Sequence, residues 1–281
     1  MHRLGPHAQA LLFGILALSL AAAASIAGGR FLDPYGWIPL AAAVLVILAG
    51  GGLRCRATWR GFAIGTAGFN AWLPAIALPS VVLTAGYLVA VLTGNAQLGL
   101  GGKNPVVFAV ATIAVVAAGS LQAIGEELGW RGYLLPRLAD LGRVRAGLIS
   151  GPLWAVWHAP LIYIAAAYHT GAGPLYMLPF GITIVAMSFV ANELRMSSGS
   201  SWPAVIFHGA HNAIWFQLGV LTVGSTGLLA GIGEESGIVP MTLYVAAAIW
   251  IVLSRPAWAV DRSIESAARL RQQAAGGCPG D

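Results

Sequence analysis

The sequence predicts an all-α integral membrane protein, a bundle of about eight transmembrane helices. Only 9% of its 281 residues are charged, whereas a soluble domain has about 25%. Hydrophobic residues make up 58% of the chain, the mean hydropathy is +0.77, and long uncharged runs recur from one end to the other. This composition excludes a soluble globular enzyme, a disordered protein and a nucleic-acid-binding protein.

Eight apolar runs are long enough to cross a bilayer, which takes about 20 residues of helix. They lie at residues 8–27, 36–53, 72–93, 105–126, 147–168, 174–194, 202–222 and 238–254. Short connections join them, with Gly- and Ser-rich loops at 197–201 and 224–237. The first run follows Arg3 and ends in alanines, as a cleaved signal peptide does, but its length favours a retained helix.

Three regions are therefore expected along the chain. Residues 1–104 hold the first three helices and carry no motif that we recognise. Residues 105–254 hold helices four to eight and all of the motifs described below. Residues 255–281 form a polar tail.

The basic residues predict the orientation, because Lys and Arg prefer the cytoplasmic side of a membrane. With a cytoplasmic N-terminus and alternating helices, 13 of the 15 basic residues face the cytoplasm, and Arg30 and Lys103 do not. The thirteen are Arg3, Arg54, Arg56, Arg60, Arg131, Arg137, Arg143, Arg145, Arg195, Arg255, Arg262, Arg269 and Arg271. Both termini are thus expected in the cytoplasm.

Ionisable residues at membrane depth are costly and usually functional, so the search for chemistry is short. The residues at or near that depth are Glu126, Glu127, His158, Glu193, His208 and His211. The Gly233-Glu234-Glu235 string repeats an earlier Gly-Glu-Glu but falls in an outer loop without an Arg partner, and we expect it to be solvated. Glu193 is expected at the membrane interface near Arg195.

The first motif ends the fourth span. Glu127 and Arg131 are four residues apart, so on a helix they share a face and form a structural ion pair. Glu126 points about 100° away and lacks that partner, with Gln122 one turn before it. A carboxylate in apolar surroundings suits proton transfer. The alternative is that both glutamates only mark the water interface.

Two further motifs lie on the fifth and seventh spans. His158 follows Trp154 by four residues and lies about 16 Å from the cytoplasmic end of its span, near mid-membrane. His208 and Asn212 are four apart on one helical face, about 9 Å below the same side. Structural hydrogen bonding is the alternative role for these side chains, and for His211 we favour it.

A carboxylate, two imidazoles and an amide would make a hydrolytic site. Glu126, with His158, would activate water, and His208 and Asn212 would donate to the oxyanion of a tetrahedral intermediate. Alternatively, Glu126, His158 and His208 form a His₂Glu set with an open position, a catalytic zinc pattern. The spacing is compatible with both, so the cofactor is either zinc or none.

The three motifs, in this order, resemble the signature of the CPBP family, the CAAX proteases and bacteriocin-processing enzymes. That family includes the type II CAAX prenyl endopeptidases and bacterial Abi-type proteins. The elements here are Glu126-Glu127…Arg131, Trp154…His158 and His208…Asn212, and the resemblance covers roughly residues 105–254. One departure is Trp154, where the family usually has phenylalanine, a change that keeps an aromatic residue.

The resemblance implies an intramembrane protease whose cavity opens to the cytoplasm and the membrane. It implies Glu126 as the base, assisted by His158, an oxyanion hole of His208 and Asn212, and supporting roles for Glu127 and Arg131. Family members are commonly labelled metalloproteases, and a metal-free mechanism that depends on the glutamate is also proposed.

The function expected from the sequence is cleavage of a peptide bond in a membrane-associated protein or peptide, with the lipid bilayer as the environment. Short loops and an Ala-, Gly- and Arg-rich composition indicate a bacterial inner (plasma) membrane. A peptide, a bacteriocin-like toxin or a membrane-bound regulatory protein fits as substrate better than a prenylated protein. The alternative is a non-catalytic transporter or immunity-type binding protein on the same fold.

Overall fold

The computed structural model describes residues 4–27, 34–50, 56–164, 177–254 and Trp258. Arg3, Arg30 and most of the expected polar tail at 255–281 lie outside these ranges. Most of the described chain is helical, which confirms an all-α architecture.

Each of the eight predicted runs contains a helix. These helices are α1 (Pro6–Ile26), α2 (Ile38–Ala49), α4 (Trp72–Leu92), α5 (Pro105–Glu127), α7 (Gly142–Tyr163), α8 (Met177–Ser198), α9 (Trp202–Leu221) and α11 (Ile238–Ser254). In the connections that the structure describes lie three short α-helices: α3 (Arg56–Arg60), α6 (Leu135–Leu138) and α10 (Leu229–Ile232). Between α5 and α6 the chain continues as a π-helical segment, Leu128–Leu134.

Within the described ranges, four helical runs are long and apolar enough to cross a membrane, namely Pro6–Ile26, Phe69–Leu92, Pro105–Tyr163 and Met177–Ser198. The third run holds two of the predicted spans, because α5, the π-helical segment, α6 and α7 follow one another almost without interruption. Tyr35–Ala49 and Ile238–Ser254 are shorter apolar helices. The protein is thus a multi-pass helical membrane protein, and the count of eight crossings stays a prediction.

The outer surface of α5 shows why the bundle needs lipid around it. Val106, Val110 and Ile113 each expose between 63% and 72% of their surface. Asn104 begins this helix, since its side chain accepts hydrogen bonds from the backbone N–H groups of Val106 and Val107. The apolar face that follows is suited to hydrocarbon and not to water.

Contacts at one end of the bundle fit helices that alternate in direction. Near the start of α1, His7 Nε2 lies 3.2 Å from Asp140 Oδ1, just before α7. At the start of α7, Arg143 Nε donates to Glu193 near the end of α8, and its Nη1 donates to the carbonyl of Ile251 near the end of α11. The predicted order of spans places these four ends on one side.

Contacts at the other end show the same alternation and add one feature that the sequence did not predict. Strand β1 (Ala96–Leu98), after α4, pairs antiparallel with β2 (Thr222–Ser225), after α9. This ribbon joins the ends of two helices that run in the same direction. The predicted loop at 224–237 therefore contains the end of β2 and all of α10.

Glycines allow close helix packing beside the first motif. A methyl group at Gly129, in the π-helical segment, would collide with Pro39 at the start of α2, including its backbone carbonyl carbon. At Gly132 a methyl group would lie 3.0 Å from the ring of Phe62. The position of the segment that carries Arg131 therefore depends on the absence of side chains at both sites.

We expect Gly129→Ala to lower the stability of the folded protein by about 1–3 kcal/mol, because the α2 backbone has to move. Gly219→Ala is the matched control, since the added methyl group would lie 3.9 Å from the hydroxyl of Tyr87 and alanine favours helix. The measurement is thermal unfolding in detergent. Equal melting temperatures for the two variants would contradict the packing described for Gly129.

Candidate active site

The three motifs meet at one cavity of about 40 Å³ between α5, α7, α8 and α9. The residues predicted as catalytic, Glu126, His158, His208 and Asn212, all line it. A buried water needs at least about 10–15 Å³ of such space, so the cavity has room for a reacting water molecule. Aromatic and aliphatic side chains form much of the remaining wall, including Trp157, Leu161, Phe180, Ile184 and Met187.

Glu126 is buried and accepts a hydrogen bond from Trp154. The indole Nε1 of Trp154 donates to Glu126 Oε2 over 2.9 Å. The carboxylate is therefore oriented from α7, although it lies on α5. The departure at Trp154 thus has a chemical consequence that we did not expect from the sequence, because phenylalanine has no N–H group to donate.

His158 is held by its own helix and by aromatic rings. Its Nδ1 lies 2.9 Å from the carbonyl oxygen of Trp154, and a carbonyl can only accept, so Nδ1 carries the proton. The rings of Trp157 and Phe180 pack edge-on against the imidazole, at 4.8 and 5.2 Å between centroids. In the neutral imidazole, Nε2 is then the nitrogen that can accept a proton or a hydrogen bond.

Glu127 binds two partners at once. Arg131 Nη1 donates to Glu127 Oε1 over 2.8 Å, which confirms the predicted pair. His208 Nδ1 lies 3.0 Å from the same oxygen, a contact that the sequence did not predict. All three side chains are buried. Glu127 therefore fixes the ring of His208 as well as the guanidinium of Arg131.

A hydrogen-bond network continues from Arg131 to side chains of α7 and α8. Arg131 Nε donates to Asn192 Oδ1 over 3.3 Å, Asn192 Nδ2 donates to Ser150 Oγ over 3.0 Å, and Ser150 and Ser188 share a hydrogen bond of 3.2 Å. The guanidinium also lies 4.3 Å above the ring of Trp154. Sequence reasoning missed this network, although Ser188 and Asn192, four apart in an apolar helix, are a signal of it.

The interface position expected for Glu193 stays a prediction, and its side chain has partners that the sequence did not predict. Glu193 is buried and accepts hydrogen bonds from Arg143 Nε over 3.1 Å and from Trp258 Nε1 over 2.8 Å. Arg195, its expected neighbour, instead donates to the carbonyl of Gly61. Glu193 thus fastens α7 and the start of the C-terminal segment to α8, a long-range contact that local spacing does not reveal.

The expectation of a solvated Glu235 was wrong. Glu235 is 6% exposed and lines the same cavity as Glu126. The chain bends inward here because Gly233 packs against the backbone of Gly86 in α4. His211 joins this second polar group, with Nδ1 2.8 Å from the hydroxyl of Tyr244 and Nε2 3.8 Å from Glu235 Oε2.

The zinc hypothesis requires three ligands that converge on one point. Among the described residues, no group of three His, Cys, Asp or Glu side chains is placed to hold a metal ion. Two of the predicted ligands are also engaged, Glu126 with Trp154 and His208 with Glu127. Since the arrangement does not fit a His₂Glu centre, no step proposed below passes through a metal.

The fold and this cavity define a class, the helical membrane proteins with ionisable side chains around a buried, water-sized space. Residues 107–214 match the model of a family described as type II CAAX prenyl endopeptidase Rce1-like. All six motif residues lie within this match. The resemblance predicted from the motifs is thereby confirmed over this region.

A curated relative agrees with the family match. CAAX prenyl protease 2 of Methanococcus maripaludis is 32% identical over 93 residues, which cover 31% of this chain and 34% of that protein. The aligned part of the chain thus spans about a third of the relative's length. The comparison supports the resemblance of the motif region, and the activity of the whole protein is proposed below.

We expect Glu127→Gln to destabilise the protein by about 3–5 kcal/mol, because it leaves the buried Arg131 without its counter-ion. Glu126→Gln is the milder control, since the amide oxygen still accepts from Trp154, Arg131 keeps Glu127, and loss of one proton from His208 compensates the removed charge. Thermal unfolding in detergent and the yield of monodisperse protein measure both. If the two variants unfold alike, the structural role of Glu127 is refuted.

Proposed function

We propose that this protein is an intramembrane endopeptidase that hydrolyses a peptide bond in a membrane-associated protein or peptide. The observation that carries the proposal is the convergence of Glu126, His158, His208 and Asn212 on one water-sized cavity. The family match over residues 107–214 and the name of the curated relative support the same reaction.

In the proposed reaction, Glu126 is the general base. It takes a proton from a water molecule in the cavity, and the water oxygen attacks the carbonyl carbon of the scissile bond. His158 lines the same cavity, and in this proposal its Nε2 accepts the other water hydrogen and so orients the attacking oxygen. Trp154 holds the carboxylate in place during this step.

His208 and Asn212 donate to the oxyanion in this proposal. Because His208 Nδ1 is used on Glu127, its Nε2 is a donor only in the imidazolium form. That form also balances the buried charge, because the two carboxylates of Glu126 and Glu127 then face two cations, Arg131 and His208. When Glu126 takes up the proton, the negative charge moves to the oxyanion, and the site stays neutral overall.

The proposed mechanism is glutamate-dependent and uses no metal in its steps. Glu127 and Arg131 have supporting roles, since one orients His208 and the other neutralises Glu127. The proposed location is the plasma membrane, with both termini in the cytoplasm, and the lipid bilayer delivers the substrate. A peptide, a bacteriocin-like toxin or a regulatory membrane protein fits this setting.

We expect Glu126→Gln to lower cleavage by about 10²–10⁴-fold, through loss of the base. His208→Ala should cost at least about 10²–10³-fold, through loss of an oxyanion donor. The assay uses proteoliposomes and a library of fluorescence-quenched peptides that carry one hydrophobic anchor. Glu234→Gln is the control, because it belongs to the other Gly-Glu-Glu string and its side chain does not line the cavity.

Equal losses in Glu234→Gln and Glu126→Gln would refute the assigned base. Full activity in Glu126→Gln would refute the hydrolytic mechanism. Activity that disappears on dialysis against a chelator and returns with zinc would refute the metal-free route. Proton uptake by proteoliposomes without any cleaved peptide would favour a transporter on the same fold.

The proposed orientation predicts how two single cysteines react. In a background without Cys55 and Cys278, a cysteine at Asp140 should react with an impermeant maleimide only after the cells are opened. A cysteine at Ala230 should react in intact cells. Both positions are exposed in the structure, so access to the reagent depends on the side of the membrane. The reverse pattern would overturn the orientation, and the cysteine-free parent shows the background.

A further inference from the structure

We propose that His211 is the acid that protonates the leaving amine, and that Glu235 is the positioning residue that holds His211 in its protonated form. This inference rests on the proposed endopeptidase function and adds a second polar wall to its site. Neither residue belongs to the three motifs, and the sequence favoured a structural role for His211 and a solvated Glu235.

His211 and Glu235 face the same cavity as the base. Both residues line it together with Glu126, and both are buried, at 3% and 6% exposure. His211 lies three residues beyond His208 on α9, about 4.5 Å along the helix axis, so a substrate carbonyl bound at His208 would place its leaving nitrogen near His211. The geometry thus puts a second ionisable imidazole beside the bond that breaks.

The other ionisable residues discussed above have other roles in the proposed reaction, so the acid that protonates the leaving amine is still unassigned. Glu126 accepts from Trp154 and takes the proton from water, and His158 uses its Nδ1 proton on the carbonyl of Trp154. His208 uses Nδ1 on Glu127 and keeps Nε2 for the oxyanion. An amine leaves only when its nitrogen receives a proton, because an amide anion is a very poor leaving group.

Two neighbours suit His211 to this task. Nδ1 lies 2.8 Å from the hydroxyl of Tyr244, a side chain with no exposed surface, which fixes the ring. Nε2 lies 3.8 Å from Glu235 Oε2, an ion-pair distance that favours the imidazolium form. At this distance Nε2 is not committed to a direct hydrogen bond with that oxygen, and it can donate toward the cavity.

The ionisable groups around His211 come from several elements of the described chain. His208 lies on its own helix, Tyr244 on α11, Glu235 on the connection before α11, and Glu126 on α5 at the shared cavity. Burial and a charged His208 both oppose a positive charge on His211, whereas the Glu235 carboxylate beside it favours that charge. Glu235 is therefore the group whose removal should most weaken His211 as an acid.

The proton balance closes with these residues. Glu126 gains one proton from water as the C–O bond forms, and His211 gives one proton to nitrogen as the C–N bond breaks. The products are a carboxylic acid and a neutral amine, which then exchange a proton with water. At this point Glu126 holds one proton too many and His211 one too few. Transfer through water in the cavity they share restores both groups.

The test compares two leaving groups on one peptide. A peptide that the wild type cleaves is made with its scissile amide and with a p-nitrophenyl ester at the same carbonyl. An aryl oxide leaves without a proton, so only amide hydrolysis needs the acid. We expect His211→Gln to lower amide cleavage by at least about 10²-fold and ester cleavage by less than about threefold. Glu126→Gln should lower both.

Two further variants complete the design. Glu235→Gln should reduce the amide-to-ester ratio in the same direction, by about tenfold, because His211 then lacks its carboxylate. If His211→Gln fails to fold, Glu235→Gln carries the test alone. His7→Gln is the matched control, since His7 is exposed and does not line the cavity, and its ratio should not change.

The outcomes separate this inference from the proposed function. Equal losses of amide and ester cleavage in His211→Gln and Glu235→Gln would assign them a structural role and overturn the inference alone. An unchanged amide rate in either variant would do the same. If the wild type cleaves no member of the peptide library, the proposed function fails and the inference fails with it.

Discussion

The arrangement of the site depends on one carboxylate oxygen, Glu127 Oε1, which accepts from both Arg131 and His208. These contacts connect the end of α5, the π-helical segment and α9. Water does not reach these buried side chains, so losing one partner leaves an unpaired charge inside the protein. Glu127 takes no part in the proposed reaction, yet its hydrogen bond determines the position of His208 and with it the proposed oxyanion site.

Polar contacts of this kind replace the hydrophobic effect between helices. Lipid tails are as apolar as leucine, so helices associate through close packing and hydrogen bonds. The chain from Arg131 through Asn192 to Ser150 and Ser188 fastens α7 and α8 to the motif segment. Gly129 and Gly132 bring that segment against its neighbours. Polar groups and small residues thus place the site, and the apolar outer faces keep it in the membrane.

Trp154 connects the structural polar network around Arg131 to the proposed catalytic residues. Its ring lies under Arg131, its Nε1 orients Glu126, and its backbone carbonyl accepts from His158. One residue of α7 therefore contacts the structural guanidinium, the proposed base and the proposed assisting histidine. The second wall, with His211 and Glu235, depends on different elements, α11 and the connection that precedes it. The cavity therefore has two polar walls, one around Trp154 and Glu126 and the other around His211 and Glu235.

The sequence alone determined the all-α class, the eight helical runs, the Glu127–Arg131 pair and the motif residues around the cavity, because these follow from local composition and helical spacing. Only the tertiary structure decided the second partner of Glu127, the Arg143–Glu193–Trp258 contact and the burial of Glu235. Each joins residues more than 20 positions apart, and helical periodicity carries no information on which faces meet. Gly233-Glu234-Glu235 is the clearest case, since a Gly-rich string with two carboxylates has the composition of a solvated loop, yet Glu235 is buried where Gly233 packs against α4.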